Sequence, residues 1–136
     1  MHPLLKDLLV LDIETVSSHK AFEDLSPDMQ EHWTRKSSFL KNEESLPTDQ
    51  MYFDRAAIYA EFGRIIVIGM GIFYKEDEAI KFKVKSIASD SERELLEKFL
   101  SILKKFDQDN LRLCGHNGKE FDFPYICRRL IVHGLE

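Results

Sequence analysis

Cysteine, long apolar runs and an excess of positive charge are all scarce or missing in this sequence of 136 residues. The two cysteines, Cys114 and Cys127, form no Cys-x-x-Cys motif, and nothing else predicts a disulfide framework. No stretch approaches the roughly 18 apolar residues that a membrane-spanning helix needs. The first residues also lack the pattern of a secretory signal peptide. We therefore expect a cytoplasmic, reduced protein with no membrane partner.

Basic residues are outnumbered, because 19 Lys and Arg stand against 24 Asp and Glu, which gives a net charge of −5. A mildly acidic chain argues against a polybasic coat for nucleic acids. It leaves open a site where carboxylates bind divalent cations, since the cations then supply local positive charge. Hydrophobic residues make up 43% of the chain, which predicts a folded domain and excludes a wholly disordered one.

Four segments have the composition of β-strands. Leu8–Ile13 is a short apolar run without alternation, which predicts a strand buried on both faces. Arg64–Tyr74 predicts a long strand. Ala79–Ser86 alternates apolar residues with lysines, which predicts a half-exposed strand antiparallel to its neighbour. Leu111–Gly115 predicts a fourth strand, short and buried.

Helical patterns occupy the segments between the strands. The polar residues from about 17 to 60 predict an insertion with two helical patches, Pro27–Lys36 and Asp49–Ile58. Ser89 and Glu92 fit a capping box that begins a helix with one apolar face.

A last helix is predicted over Phe123–Val132, with Pro124 in its first turn. Its helical spacing predicts an outer face with Arg128 and Arg129, and an inner face with Ile126, Cys127, Leu130 and Ile131. The whole order is strand, helical insertion, hairpin of two strands, helix, strand and helix. That order predicts an α/β fold with a mixed sheet.

The first candidate for chemistry is Asp12-Ile13-Glu14-Thr15, at the end of the first predicted strand. Residues two apart in a strand point to the same face, so Asp12 and Glu14 are expected to project together. Two carboxylates this close repel each other unless a proton or cation lies between them. Their oxygens are suited to Mg²⁺ or Mn²⁺. Two unrelated acids at a solvated strand end give the same pattern.

The second candidate is the segment His116–Pro124, which follows a predicted strand and opens a helix. Loops at the carboxyl ends of strands are where α/β sheets place ligands. Asp122 lies near a helix amino terminus, where negative charge is favourable. The alternative interpretation is structural, with Asp122 as a helix cap and Asn117 in a turn.

Taken together, the two motifs resemble the first two motifs of the DEDD exonucleases, the proofreading type of 3′→5′ exonuclease with a ribonuclease H-like fold. Phe121-Asp122-Phe123-Pro124-Tyr125 looks most like the exonuclease domain of family B DNA polymerases. Ile58–Ile65, which leads into the long strand, is similar to a bacterial group of predicted exonucleases related to that domain. The resemblance spans Leu8 to Leu135 and implies a three-layer α/β/α fold with a mixed sheet, incomplete at the carboxyl end.

The resemblance implies hydrolysis of phosphodiester bonds at 3′ ends by two Mg²⁺ or Mn²⁺ ions. It assigns Asp12 to both metals, Glu14 to the metal that activates water, and Asp122 to the second metal. The residues implied to contact substrate are Ile13, Thr15, Asn117 and Phe121. We expect Asn117 to position the substrate strand or its own loop. We expect Phe121 to turn inward as a core anchor. The implied partner is nucleic acid, chiefly single-stranded DNA 3′ ends.

One part of the family pattern is missing. The family has a third motif, a Tyr or His followed a few residues later by Asp, and no Asp occurs after Asp122. His133 is the one later candidate base. We therefore expect a truncated exonuclease domain with weak or no activity. The alternatives are a non-catalytic nucleic-acid-binding module, an RNA-directed exonuclease, and a zinc site formed by the two cysteines with His116 and His133.

Overall fold

A computed structural model describes all residues from 1 to 136. It has four β-strands and five α-helices, and two short 3₁₀ helices at Phe22–Asp24 and Ala56–Ile58. The elements follow in the order α1 (Pro3–Lys6), β1 (Leu8–Ser17), α2 (Pro27–Ser37), α3 (Thr48–Arg55), β2 (Gly63–Glu76), β3 (Ala79–Ala88), α4 (Glu92–Leu103), β4 (Arg112–Cys114) and α5 (Asp122–Val132). The predicted order of strands and helices is confirmed from β1 onward, and the short helix α1 was not predicted. None of these helices has the length and apolar character needed to cross a bilayer.

The four strands form one sheet in the order β3-β2-β1-β4. β2 and β3 are antiparallel, paired from Val67 opposite Ala88 to Glu76 opposite Ala79. β1 and β4 are parallel, and Leu8 lies opposite Arg112. The prediction of an α/β fold with a mixed sheet is therefore confirmed.

The chain divides into two compact units. The first contains Met1–Glu14 and Ile65–Glu136, and the second contains Thr15–Arg64. The first unit holds most of the sheet together with α4 and α5, and the second holds α2 and α3.

Strand β1 is buried on one face only, so the prediction of burial on both faces was wrong. Leu9, Leu11 and Ile13 are buried, whereas Asp12 and Glu14 on the other face are exposed. The alternation was hidden in the sequence because the residues before Asp12 on the exposed side are also apolar. This burial pattern directs both acids away from the core.

Strand β3 is antiparallel to β2 as predicted, but its apolar side chains are not buried. Ile80, Phe82 and Val84 are all exposed, so the prediction of a half-buried strand was wrong. β3 is an edge strand, and Phe82 packs on the cross-strand residue Phe73 with ring centroids 4.8 Å apart. The short strand β4 at the other edge is also exposed, which corrects the prediction that it is buried.

Helix α4 begins two residues later than the predicted capping box implies. The hydroxyl of Ser91, not that of Ser89, caps the helix by accepting a hydrogen bond from the backbone N–H of Glu94 at 3.3 Å. Glu92 is buried and bonds elsewhere. The apolar face of the helix is confirmed, since Leu95, Leu96 and Phe99 are buried.

Helix α5 is rotated relative to its predicted orientation. Arg129 is buried, not on the outer face, whereas Cys127 and Ile131 are exposed, not inward. The buried side instead consists of Asp122, Tyr125, Ile126 and Arg129. These residues follow the i, i+3, i+4, i+7 spacing of one helical face.

The second unit has its own small core around Trp33 and Tyr52, both fully buried. The two rings meet edge to face, 5.5 Å apart and at 90°. The indole N–H of Trp33 donates to the carbonyl oxygen of Thr48 at 3.0 Å, which ties α2 to the start of α3. The two helical patches predicted for this segment are confirmed. Leu25, Met51, Ala56 and Phe62 complete the buried cluster.

Candidate active site

Asp12 and Glu14 lie on the exposed face of β1, and buried Ile13 lies between them on the other face. The alternation of the strand produces this arrangement, because successive side chains point to opposite faces. Gly69 on β2 is close to Asp12: a Cβ added at Gly69 would lie 3.7 Å from the backbone oxygen of Asp12.

Asp122 is the first residue of α5, and its side chain is only 4% exposed. Its Oδ2 atom accepts a hydrogen bond of 3.2 Å from the backbone N–H of Ile13. That bond brings the start of α5 against the middle of β1, beside the segment that carries Asp12 and Glu14. The prediction that this motif ends the first strand was wrong, because β1 continues to Ser17. Two candidates that are 109 residues apart in sequence therefore meet in the fold.

The environment of Asp122 favours its neutral form. Burial raises the pKa of the Asp122 carboxyl above its ordinary value, and the negative charge of Asp12 raises it further. The hydrogen bond from Ile13 and the nearby His116 act in the opposite direction and offset part of this effect. A buried carboxylate with a second carboxylate beside it is a place where a cation relieves the repulsion.

His116 was named within the second motif but was not predicted as a site residue. Its positive charge, when protonated, lowers the pKa of the Asp122 carboxyl slightly, so it belongs to the electrostatic surroundings of Asp122. The signal in the sequence was its place directly after β4, at the carboxyl end of a strand parallel to β1.

The loop between β4 and α5 packs tightly against its surroundings. A Cβ at Gly115 would lie 3.0 Å from the backbone oxygen of Leu11, and one at Gly118 would lie 2.7 Å from the ring of Phe123. Gly115 therefore permits a close approach of the loop to the backbone of β1. At Gly118 a side chain would require the ring of Phe123 to shift. This packing holds the loop beside β1 and so helps to set where α5 begins.

The four residues predicted to contact substrate lie in different settings. Asn117 is exposed and has a left-handed backbone with φ of 53°, and its carbonyl accepts hydrogen bonds from the N–H groups of Glu120 and Phe121. Phe121 is half-buried, and its ring centroid is 5.4 Å from that of Tyr125.

The other two of these residues belong to β1. Ile13 is buried, and its backbone N–H is the group bound to Asp122. The hydroxyl of Thr15 donates to the carbonyl oxygen of Ala57 at 2.8 Å, within the second unit. That hydroxyl is therefore engaged inside the protein.

The donor atoms suit a hard divalent cation, but the ligand set is small. Mg²⁺ and Mn²⁺ prefer carboxylate oxygens as ligands. Asp122 offers a buried carboxylate and Asp12 an exposed one. The structure contains no group of three or more His, Cys, Asp or Glu side chains arranged to hold a metal ion. Asp12 and Asp122 are thus the two carboxylates that the fold brings together, and Glu14 shares the strand face of Asp12.

The residues weighed for a zinc site do not meet. Cys114 and Cys127 are both exposed, not in core positions as expected from the sequence. The ring of His133 is bound to Glu92, with 2.6 Å between Nε2 and Oε1. This contact is at the far end of α5 from Asp122, so His133 is not a base beside the two aspartates.

The architecture, with a four-stranded mixed sheet and five α-helices, is that of a ribonuclease H-like exonuclease domain. Residues 7–134 match the family described as DNA polymerase family B, exonuclease domain. The chain belongs to this family. The resemblance seen in the sequence is confirmed at this level, and the bacterial group within it stays a prediction. No solved structure matches the chain.

Family membership supports a nuclease function and suggests a hydrolase that acts on nucleic acids. It also implies that the chain binds a nucleic-acid substrate. Exonuclease domains of this family generally use divalent metals, which agrees with the oxygen donors of Asp12 and Asp122.

Proposed function

We propose that this chain carries the first two acidic motifs of a 3′→5′ exonuclease that removes nucleotides from single-stranded or frayed DNA ends. The observation that supports it is the hydrogen bond from Ile13 to Asp122, which puts a buried carboxyl with a raised pKa beside Asp12. A solvated strand end or a simple helix cap gives no reason for that arrangement, since Asp122 caps no helix through its side chain.

In this proposal, Asp12, Glu14 and Asp122 would hold Mg²⁺ or Mn²⁺ for a two-metal reaction. When bound, these ions supply the Lewis acid that favours a nucleophilic hydroxide and stabilises the departing 3′ oxygen. Asp122 must lose its proton before it can act as a ligand, so its raised pKa makes metal binding weaken as the pH falls. The main-chain bond from Ile13 holds its carboxyl in one orientation.

Substrate contacts are proposed for residues that neighbour the acidic motifs in the sequence. The exposed side chain of Asn117, on its left-handed turn, is available to a sugar or phosphate. Ile13 and Thr15 contribute main-chain groups near the terminal nucleotide, and Phe121 supports the loop from its half-buried position. No residue of this set identifies a 2′-hydroxyl, so DNA is proposed over RNA.

We further propose that the 136-residue chain alone hydrolyses DNA weakly. It has three acidic candidates and no Tyr or His followed by Asp after Asp122. With fewer oxygen ligands, metal affinity falls, and no residue is assigned to orient the attacking water.

The test compares the wild-type chain with Asp12→Ala and with Asp28→Ala, a matched change at an exposed aspartate in the first turn of α2. Mn²⁺ binding is followed by electron paramagnetic resonance of the free ion. We expect a loss of at least about 10-fold in affinity for Asp12→Ala and none for Asp28→Ala. Equal affinity in all three proteins would remove Asp12 from the site.

Polarity and substrate are tested with single-stranded DNA labelled at its 5′ end and with RNA of the same sequence. The proposal expects a ladder of products shortened from the 3′ end, in DNA more than in RNA and only with Mn²⁺ or Mg²⁺. Binding without any cleavage, even at high protein concentration, would favour the non-catalytic module. Faster cleavage of RNA would favour the RNA-directed alternative.

A further inference from the structure

Three of the four buried polar side chains in the protein are charged, and all three belong to α5 or contact it. They are Asp122 at the start of α5, Arg129 two turns later, and Glu92 at the start of α4. Asp122 and Arg129 are on the same face of the helix, because seven residues make about two turns and span about 10 Å.

Glu92 and Arg129 form a bidentate ion pair inside the first unit. Nε and Nη2 of Arg129 lie 2.9 and 2.6 Å from Oε1 of Glu92. Oε2 of Glu92 also accepts a hydrogen bond from the backbone N–H of Ile65, in β2, at 2.5 Å. Glu92 therefore joins α4, α5 and β2 through one carboxylate, and His133, directly after α5, is its third partner.

Helix α5 is thus fixed at two points by bonds of the same kind. In each case a buried carboxylate accepts a backbone N–H from a strand: Asp122 from Ile13 in β1, and Glu92 from Ile65 in β2. A bidentate Arg–carboxylate pair has a defined geometry, so it fixes the rotation of α5 as well as its position along its axis. Apolar contacts at Tyr125 and Ile126 are less directional.

Stability alone is a weak explanation for this pair. Removing two charges from water is costly, and replacing a buried ion pair with uncharged residues of similar size is often neutral or stabilising. Buried pairs have a better-attested use in fixing one register among several. Here the element whose register is fixed is the one that carries Asp122.

We propose that Glu92 and Arg129 are positioning residues that hold Asp122 beside β1. The expected effect on metal binding rests on the proposed function, since Asp122 must lie beside Asp12 to share a cation. It does not need that function for its geometry, because the contact between Asp122 and Ile13 can be measured without metal or substrate.

The experiment uses the double variant E92Q/R129M in the full chain. Gln at position 92 keeps an oxygen to accept the Ile65 N–H, and no buried charge is left alone, so the protein is expected to fold. We expect a midpoint of thermal unfolding close to that of the wild type. The matched control is E31Q/R35M, which makes the same changes in an exposed pair of α2.

Two measurements follow on the folded proteins. Hydrogen exchange of the Ile13 amide is expected to accelerate at least about 10-fold in E92Q/R129M, towards the rate in Asp122→Ala, and to stay unchanged in E31Q/R35M. Mn²⁺ affinity is expected to fall about 10-fold in E92Q/R129M, which is the usual size of such indirect effects on a metal site. The R129K variant, which keeps the charge, is expected to recover part of both losses.

The outcomes separate the two proposals. A stable E92Q/R129M protein with a protected Ile13 amide and unchanged Mn²⁺ affinity overturns the positioning role and leaves a structural ion pair. If the wild type and Asp122→Ala bind Mn²⁺ equally, the proposed function fails instead. In that case faster exchange of the Ile13 amide in E92Q/R129M still supports the positioning of α5, and unchanged exchange overturns it.

Discussion

The backbone N–H of Ile13 donates a hydrogen bond of 3.2 Å to Oδ2 of Asp122, which stands 109 residues further along the chain. The bond orients a carboxyl that burial and the charge of Asp12 both bias towards the protonated form. An ionised carboxylate in that position destabilises the metal-free fold. When a cation is present, the same carboxylate can act as its ligand. Stability and function at this residue are therefore expected to oppose each other.

Asp122→Asn is predicted to stabilise the metal-free protein at neutral pH. The folded state raises the Asp122 pKa above its ordinary value of 3.8, so the folded protein binds the proton more tightly than the unfolded chain does. The wild type therefore loses stability as the pH rises from the unfolded-state pKa through the raised folded-state pKa. Asp122→Asn cannot ionise, so it does not lose this stability. A gain of about 1 kcal/mol raises the unfolding midpoint by roughly 2 to 5 °C.

The measurement is thermal unfolding of both proteins in a chelating buffer, from acid to neutral pH. The difference between them should shrink as the pH is lowered, because the wild type then binds its proton. The same variant should lose Mn²⁺ binding. A variant that is less stable than the wild type at neutral pH would contradict the assignment of a raised pKa.

Glu92 is predicted to behave in the opposite way. Burial alone would raise its pKa, but hydrogen bonds from Arg129, Ile65 and His133 together hold the Glu92 pKa below its ordinary value of 4.5. Its contribution to stability is therefore present above that pH and is lost as the pH falls through the lowered folded-state pKa. Glu92→Gln should cost about 3 kcal/mol at neutral pH, because Arg129 is left without its buried counter-charge.

Urea unfolding at neutral and acid pH measures this cost. The gap between the wild type and Glu92→Gln should narrow in acid. Glu97→Gln provides the control, since Glu97 pairs with Arg93 on the exposed side of the same helix at 3.0 Å. An exposed pair contributes less than about 1 kcal/mol. A similar loss in both variants would show that burial of the Glu92 pair has no special effect.

The sequence predicted the topology because hydrophobic periodicity determines which segments are strands and helices. That Asp12 and Asp122 belong to one site was implied by the resemblance to the exonuclease family, since each motif alone also had a structural interpretation. The rotation of α5 could not be predicted in this way. Arg129 was assigned to the outer face because it is charged, and its partner Glu92 is 37 residues away.

The start of α4 was ambiguous for a local reason. Ser89 and Glu92 fit a capping box, and so do Ser91 and Glu94 two residues later. The structure uses the second pair, which leaves Glu92 free to bind Arg129. A tertiary contact thus decides between two equivalent local patterns. The exposure of the apolar residues of β3 could not be predicted either, because periodicity does not reveal whether another element covers a strand.

Ser91→Ala is predicted to destabilise the protein by about 1 kcal/mol, the usual value for a lost amino-terminal cap. Ser89→Ala should cost less, because Ser89 bonds only to the backbone N–H of Ser91 and, at 3.5 Å, to Glu94. Urea unfolding of the two variants at the same pH compares them. A larger loss of unfolding free energy for Ser89→Ala would instead indicate that Ser89 caps the helix, as the sequence predicted.

Tyr52→Phe is predicted to destabilise the second unit by about 1 to 2 kcal/mol, through the loss of hydrogen bonds made by one buried hydroxyl. The hydroxyl accepts from the backbone N–H of His19 at 3.2 Å and donates to the His19 carbonyl at 3.1 Å. It therefore fixes the segment that follows β1 against α3.

Because the one tryptophan, Trp33, touches the Tyr52 ring, its fluorescence reports the unfolding of this unit directly. Tyr59→Phe is the control, since Tyr59 packs on the same core through its ring. Equal unfolding midpoints for the two variants would mean that the His19 contacts do not stabilise the unit.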